Sequence, residues 1–253
     1  MHIVGHGFLA RSLEPIAAAH PDTVVLAAGV SWASGTSDTD FARERALVDA
    51  TARQCAADGR RLLFFSTAST GMYGNARGPG REDEPAEPCT PYGRHKLALE
   101  QRVTASGAGH LILRLGHLVG PGQPAHQLLP ALLDQVRSGT VRVHRGAARD
   151  LIGVADVITV IDRLLAQRLD GEVVNVASGV AVPVERIVDH LERRLGVRTE
   201  REYLDSGAQH AISIDKLRRL VPEVADLGFG PDYYRPVLDA FTDAALAGSA
   251  PTG

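Results

Sequence analysis

Four short, largely apolar strand-like segments separated by stretches of helical spacing constrain this chain more than any other feature. The segments are Met1 to Val4, Thr23 to Ala28, Leu62 to Phe65 and Leu111 to Leu115. Between them, Leu9, Leu13, Ile16 and Ala17 form one helical stripe, and Phe41, Val48, Ala52 and Cys55 form a second that stops at Asp58-Gly59. A third helix opens at Tyr92 and ends at Ser106-Gly107. Short strands without polar alternation are buried on both faces, and strands that alternate with helices pair in parallel. The expectation is an α/β protein with a parallel sheet covered by helices on both sides. Pro15 falls inside the first helical stripe, where it removes a backbone donor and should bend or shorten the helix.

The second half is less regular. Leu128, Leu129, Leu132 and Val136 mark a helix closed by Gly139, Val141 to His144 a short strand, and Val154 to Leu165 a further helix. Val173 to Ala177 returns to the sheet, Pro183 opens another helix, Ser213 caps a short one, and the last spans about Asp232 to Leu246. These boundaries give a core of residues 1–122 and 150–178, and a small C-terminal lobe of residues 123–149 and 179–253 interleaved with it. The 253 residues, 44% of them hydrophobic, carry a net charge of −3 from interspersed charges, which argues against nucleic acid or an anionic membrane as partner. Cys55 and Cys89 match no metal spacing and no disulfide framework, and the chain opens on a strand-like run rather than a signal peptide, so a cytoplasmic setting is expected.

Two motifs carry chemistry. Gly5-His6-Gly7-Phe8-Leu9-Ala10 lies between a strand and a helix, where glycines let a backbone approach a pyrophosphate, although plain tight turns look the same. Tyr92 and Lys96 stand four residues apart and share a helix face. An ammonium beside a phenol favours the phenolate and lowers its pKa, making a general acid/base near neutral pH. A solvated helix start reads the same way on spacing alone. The stretch from Ser66 to Pro91, rich in hydroxyls, Gly, Pro and acids, is expected to be a long loop, and loops of that length tend to carry function.

The ordered set of these segments resembles the extended short-chain dehydrogenase/reductase family of nucleotide-sugar epimerases, dehydratases and reductases. Its landmarks are the glycine turn; Leu26-Ala27-Ala28-Gly29; Ser66-Thr67-Ala68-Ser69 leading to Met72-Tyr73-Gly74; and Pro91-Tyr92-Gly93-Arg94-His95-Lys96-Leu97. Then come Arg114-Leu115-Gly116 with Gly120-Pro121-Gly122, Arg149-Asp150-Leu151 through Val157, and Asn175-Val176-Ala177-Ser178-Gly179. The resemblance implies a Rossmann-type sheet and NAD or NADP held by Gly5, Gly7, Phe8, Leu9, Ala27, Ala28 and Lys96. It implies Tyr92 as catalytic acid/base, Lys96 as its partner, and Ser69 or Thr67 as the hydroxyl on the substrate oxygen, with Ser69 favoured. Arg149 stands where such proteins hold a substrate diphosphate, and His117 and Tyr73 are candidates for the substrate pocket. A homodimer is also implied, through the helix from Phe41 to Ala57 and the tyrosine helix.

One departure is large. About fifteen residues separate Ala10 from Leu26, enough for one helix, where an extended member would carry two further strand-helix units. The sheet is therefore expected to be reduced in strand number, with the adenosine-binding half of the dinucleotide site deleted. Two enzyme readings follow. The protein is an NAD(P)-dependent oxidoreductase or epimerase acting on a nucleotide sugar or related hydroxylated metabolite, using the loop from Ser31 to Asp40 as part of its cofactor site; or it is a cofactor-independent lyase, isomerase or cyclase reusing Tyr92, Lys96 and a hydroxyl. A third reading is a non-catalytic small-molecule binding protein.

Overall fold

The computed structural model describes residues 1–30, 36–69, 72–74, 78–205, 207 and 211–247. Its central sheet has five strands: β1 (His2–Val4), β2 (Thr23–Leu26), β3 (Arg61–Thr67), β4 (His110–Leu115) and β8 (Glu172–Val176), in that spatial order and all parallel. Alternate residues of β3 enter different cores. Leu63 and Phe65 pack with α1 (Phe8–Leu13) and α5 (Val154–Ala166), whereas Leu62 and Phe64 pack with α2 (Asp38–Asp58) and α3 (Pro91–Thr104). That is the two-sided burial the largely apolar segments require. Each fully buried Leu, Val or Ile in these layers contributes about 1.5–3 kcal/mol of transfer free energy.

Local signals set the helix ends. The α-helical hydrogen bonding of α1 stops at Leu13, and a 3₁₀ turn, Glu14–Ala19, carries Pro15 in its first turn, where the missing N–H costs nothing. Ser37 and Asp40 form a reciprocal capping box for α2, which ends on Gly59 at φ 64°. Thr90 caps α3 by accepting from the Gly93 N–H, with Pro91 at the first helical position.

β1 is the edge strand. The chain leaves it through α1 and the 3₁₀ turn and returns directly to β2 beside it, and among the described residues no strand pairs on its far side. In a doubly wound sheet the first strand is central and two more lie beyond it. The other edge is different: Lys216 Nζ donates to the Val173 carbonyl of β8, and Glu82 accepts from the Asn175 N–H.

The chain leaves β4 through β5 (His117–Val119), α4 (Leu128–Ser138), β6 (Thr140–His144) and β7 (Ala148–Gly153), then α5 returns it to β8. After β8 come β9 (Ala181–Pro183), α6 (Val184–Leu195), β10 (Glu200–Leu204), α7 (Asp215–Leu220) and α8 (Tyr234–Ala247). β5 and β9 flank β7, and β10 pairs in parallel with β6. A separate core joins α4, β6, α6 and α8 through Leu132, Val141, Ile187 and Leu238. Ile212, Ile214, Leu217, Val221 and Val224, in the stretch assigned to the lobe by sequence, pack instead into the core of the central sheet.

Candidate active site

The carboxyl ends of β1 to β4 and the first turn of α3 enclose a cavity of ≈ 400 Å³. Gly7, Phe8 and Leu9 line it after β1, Ala27 and Gly29 after β2, Ser66, Thr67 and Ser69 at the end of β3, and His117 after β4. Tyr92 and Lys96 close it from α3. Parallel strands end on one side of a sheet, so residues scattered over more than 100 positions converge there without special contacts.

Tyr92 is half-buried, and its hydroxyl donates to the Val30 carbonyl at 3.4 Å. Lys96 is 3% exposed, with Nζ 5.7 Å from the centre of the Tyr92 ring and 2.7 Å from Glu44 Oε1. The other Glu44 oxygen lies 2.8 Å from His95 Nε2. These contacts revise the simple picture of a lysine lowering a phenol pKa. Burial pushes the Tyr92 phenol above its ordinary value; Lys96 pulls it back, and the Glu44 charge adds to the rise. Burial also acts against charge on Lys96, but Tyr92 and Glu44 outweigh it and hold its pKa above the ordinary lysine value. Burial opposes the charge of Glu44 as well, yet hydrogen bonds from His95 and Lys96 and their charges keep its carboxyl below the usual range.

The two candidate hydroxyls are neighbours. Thr67 Oγ1 and Ser69 Oγ are 2.8 Å apart, and the Ser69 N–H donates to Thr67 Oγ1 at 3.1 Å, so both face the cavity as one hydrogen-bonded unit. Ser66 joins them as a third hydroxyl on the wall, 5% exposed, its oxygen without a partner among the described residues.

The glycines of the first turn divide their tasks. Gly5 has φ +129°, and a Cβ there would lie 2.5 Å from the Ala27 carbonyl oxygen, so its glycine character serves the packing of β1 against β2. Around Gly7 there is open space, on the cavity wall. Ala28 is exposed and, like Gly5, is not part of that wall. Of the Ser31 to Asp40 loop, residues 31–35 lie outside the described residues.

Arg149 lines a second cavity of ≈ 620 Å³, between α4, β6, β10 and α6, with Arg142, His144 and Glu202 on its wall. Leu128 borders both cavities. His117 stands near this junction: burial, then the positive charge of Arg149, push its imidazole down to about 4 against the effect of a ring hydrogen bond to the Asp150 backbone, and its Nδ1 is buried with no partner among the described residues.

Tyr73 is not in either cavity. It is 1% exposed, donates to Asn175 Oδ1 at 2.8 Å and accepts from Arg114 at 2.8 Å, while Arg114 pairs with Glu100 at 2.7 Å. Three of the sequence landmarks, Tyr73-Gly74, Arg114-Leu115-Gly116 and Asn175-Val176, thus meet in one buried polar network. Sequence reasoning missed Glu44, His95, Gly29 and the side chain of Ser66.

The family described as "NAD dependent epimerase/dehydratase family" matches residues 10–177, two thirds of the chain. The chain belongs to the NAD dependent epimerase/dehydratase family. A dTDP-6-deoxy-L-talose 4-dehydrogenase (NAD(P)(+)) of Kitasatospora kifunensis is 33% identical over 196 residues, 71% of this chain and 60% of that protein. The chain therefore spans about three fifths of the length of the curated relatives it matches. Among solved structures, RMD from Pseudomonas aeruginosa complexed with NADPH has a TM-score of 0.77 at 21% identity, covering 96% of this chain and 98% of that one. MoeE5 in complex with UDP-glucuronic acid and NAD has a TM-score of 0.76 at 23% identity, covering 96% and 85%. At these identities the structural matches speak for the Rossmann-type fold of the family.

Proposed function

We propose that this family member is an enzyme acting on a nucleotide-linked sugar with a nicotinamide cofactor, and that Tyr92 is its general acid/base. The carrying observation is the convergence of Tyr92, Lys96, the Thr67–Ser69 pair and the open Gly7 turn on one cavity. The relatives support the same class, since their names record a dTDP-sugar, UDP-glucuronic acid, NAD and NADPH.

The residues present fit the nicotinamide end of such a cofactor. The open space at Gly7 admits a pyrophosphate against the backbone, Lys96 has an N–H left for ribose hydroxyls, and the orphaned Ser66 hydroxyl awaits a polar partner. When bound, the nicotinamide supplies or accepts a hydride. The chain's own part is proton control: the Thr67–Ser69 pair orients a substrate oxygen, and Tyr92 Oη gives it or takes from it a proton. Arg149 and the basic wall of the second cavity would hold the diphosphate, with the sugar reaching past Leu128 and His117 toward Tyr92. The expected deletion of the adenosine-binding half agrees with β1 lying at the sheet edge, and predicts a more open adenosine site and weaker binding than a full doubly wound sheet gives.

The test is titration with NADH and NADPH, followed by nicotinamide fluorescence and thermal shift, with turnover assayed on a panel of nucleotide sugars. Replacing Tyr92 by Phe should leave cofactor binding and folding intact and cut turnover by about 10²–10⁴-fold. Absence of binding at millimolar cofactor, in a folded and active protein, would move the reading to a cofactor-independent lyase, isomerase or cyclase. The edge position of β1 is the observation that favours that second reading.

A further inference from the structure

We propose that Glu44 is a positioning residue of the Tyr92–Lys96 site: from α2, its carboxylate fixes the Lys96 ammonium beside the Tyr92 ring and balances its charge. This rests on the proton-transfer role given to Tyr92 and adds to it a residue from a different element. Glu44 is 3% exposed, and both its oxygens are committed, Oε1 to Lys96 Nζ at 2.7 Å and Oε2 to His95 Nε2 at 2.8 Å. The Phe65 carbonyl, at 3.4 Å, takes a second Lys96 N–H. The chain keeps room for this arrangement at Gly29, where a Cβ would sit 2.3 Å from Glu44 Oε1 and 3.1 Å from Lys96 Nζ. The exit of β2, the face of α2 and the first turns of α3 thus all accommodate one carboxylate. Burial alone does not call for ions here, because an apolar pair of similar volume is often as stable as a buried ion pair.

The charged groups around the phenol come from two helices. Lys96, on its own helix, favours the phenolate, and Glu44, on α2, opposes it. Lys96 also feels Glu100, which is itself held by Arg114 of β4. In Glu44→Gln the amide oxygen can still accept from the Lys96 ammonium and keep it beside the ring, while the opposing charge is gone, so Tyr92 should ionise at lower pH.

The experiment follows tyrosinate absorbance against pH for wild type and Glu44→Gln, each as a difference from its Tyr92→Phe counterpart, which isolates one of the five tyrosines. The Tyr92 midpoint should fall measurably in Glu44→Gln. An unmoved midpoint in the folded variant overturns the proposal and leaves Glu44 a packing residue. Should Glu44→Gln fail to fold, Glu44→Asp keeps the charge but withdraws it from the ammonium; a smaller downward shift is expected, and no shift overturns the proposal equally. The titration uses neither substrate nor cofactor. An active Tyr92→Phe enzyme would sink the parent reading without touching this result, so the two failures are distinguishable.

Discussion

His117 offers the clearest pH signature of any single residue. With its imidazole pushed down to about 4 by burial and by Arg149, it stays neutral in the folded protein where an unfolded histidine, titrating near ~6.5, takes up a proton. The unfolded chain then binds more protons between those values, so the contribution of His117 to stability is complete above the unfolded pKa and is lost as pH falls toward 4. Asp150 works in the opposite sense. Burial raises its carboxyl to about 6 despite hydrogen bonds from Ser178, Gly179 and Val180, so its contribution declines as pH rises from the ordinary carboxylate range to about 6. The two must be separated by difference. Chemical denaturation of wild type and His117→Asn at stepped pH should show the variant losing less stability on acidification, by up to about 3 kcal/mol across the window. Parallel curves would show that the ring is not held neutral. Glu44 shows what residue-level reading overlooks. A glutamate on a helix suggests a solvent face, yet Glu44 falls four residues before Val48 on the stripe that continues through Ala52 and Cys55, all of them buried. That position was the available signal.

Among elements, the glycine turn separates packing from binding. Gly5→Ala places a methyl group against the Ala27 carbonyl at a left-handed φ, and should cost about 2–4 kcal/mol or prevent folding. Gly7→Ala meets open space at φ −74°, so its melting temperature should stay close to wild type while nicotinamide affinity falls. Thermal melts and cofactor titrations on both variants would check the division, and equal destabilisation would refute it. The strands of the central sheet were legible because they are short and largely apolar, and from β2 to β4 they are buried on both faces. Outside that sheet β6 was legible as Val141 to His144, whereas β5 and β9, with three residues each, and β10, Glu-Arg-Glu-Tyr-Leu, exposed along most of its length, were not. Tyr73 shows the converse. The sequence pattern marks it as a pocket candidate, and the structure puts its side chain in a buried network with Arg114 and Asn175.

For the whole molecule, the family resemblance points to a homodimer through α2 and α3, which pack against one another and are joined by the Arg102–Asp49 ion pair. Size-exclusion chromatography with light scattering should give twice the chain mass, and a monomer at micromolar concentration would refute the proposal. Among the described residues no helix is long and apolar enough to cross a membrane. The two edges of the central sheet also treat a foreign strand differently. At β8, Lys216 and Glu82 already occupy backbone groups that another strand would need. At β1 no strand among the described residues guards the outer side, so unwanted polymerisation through added strands would begin at His2–Val4, and there only three residues are offered as a template. So brief a template gives a newcomer too few backbone bonds to hold it, which makes shortness the protection of that flank.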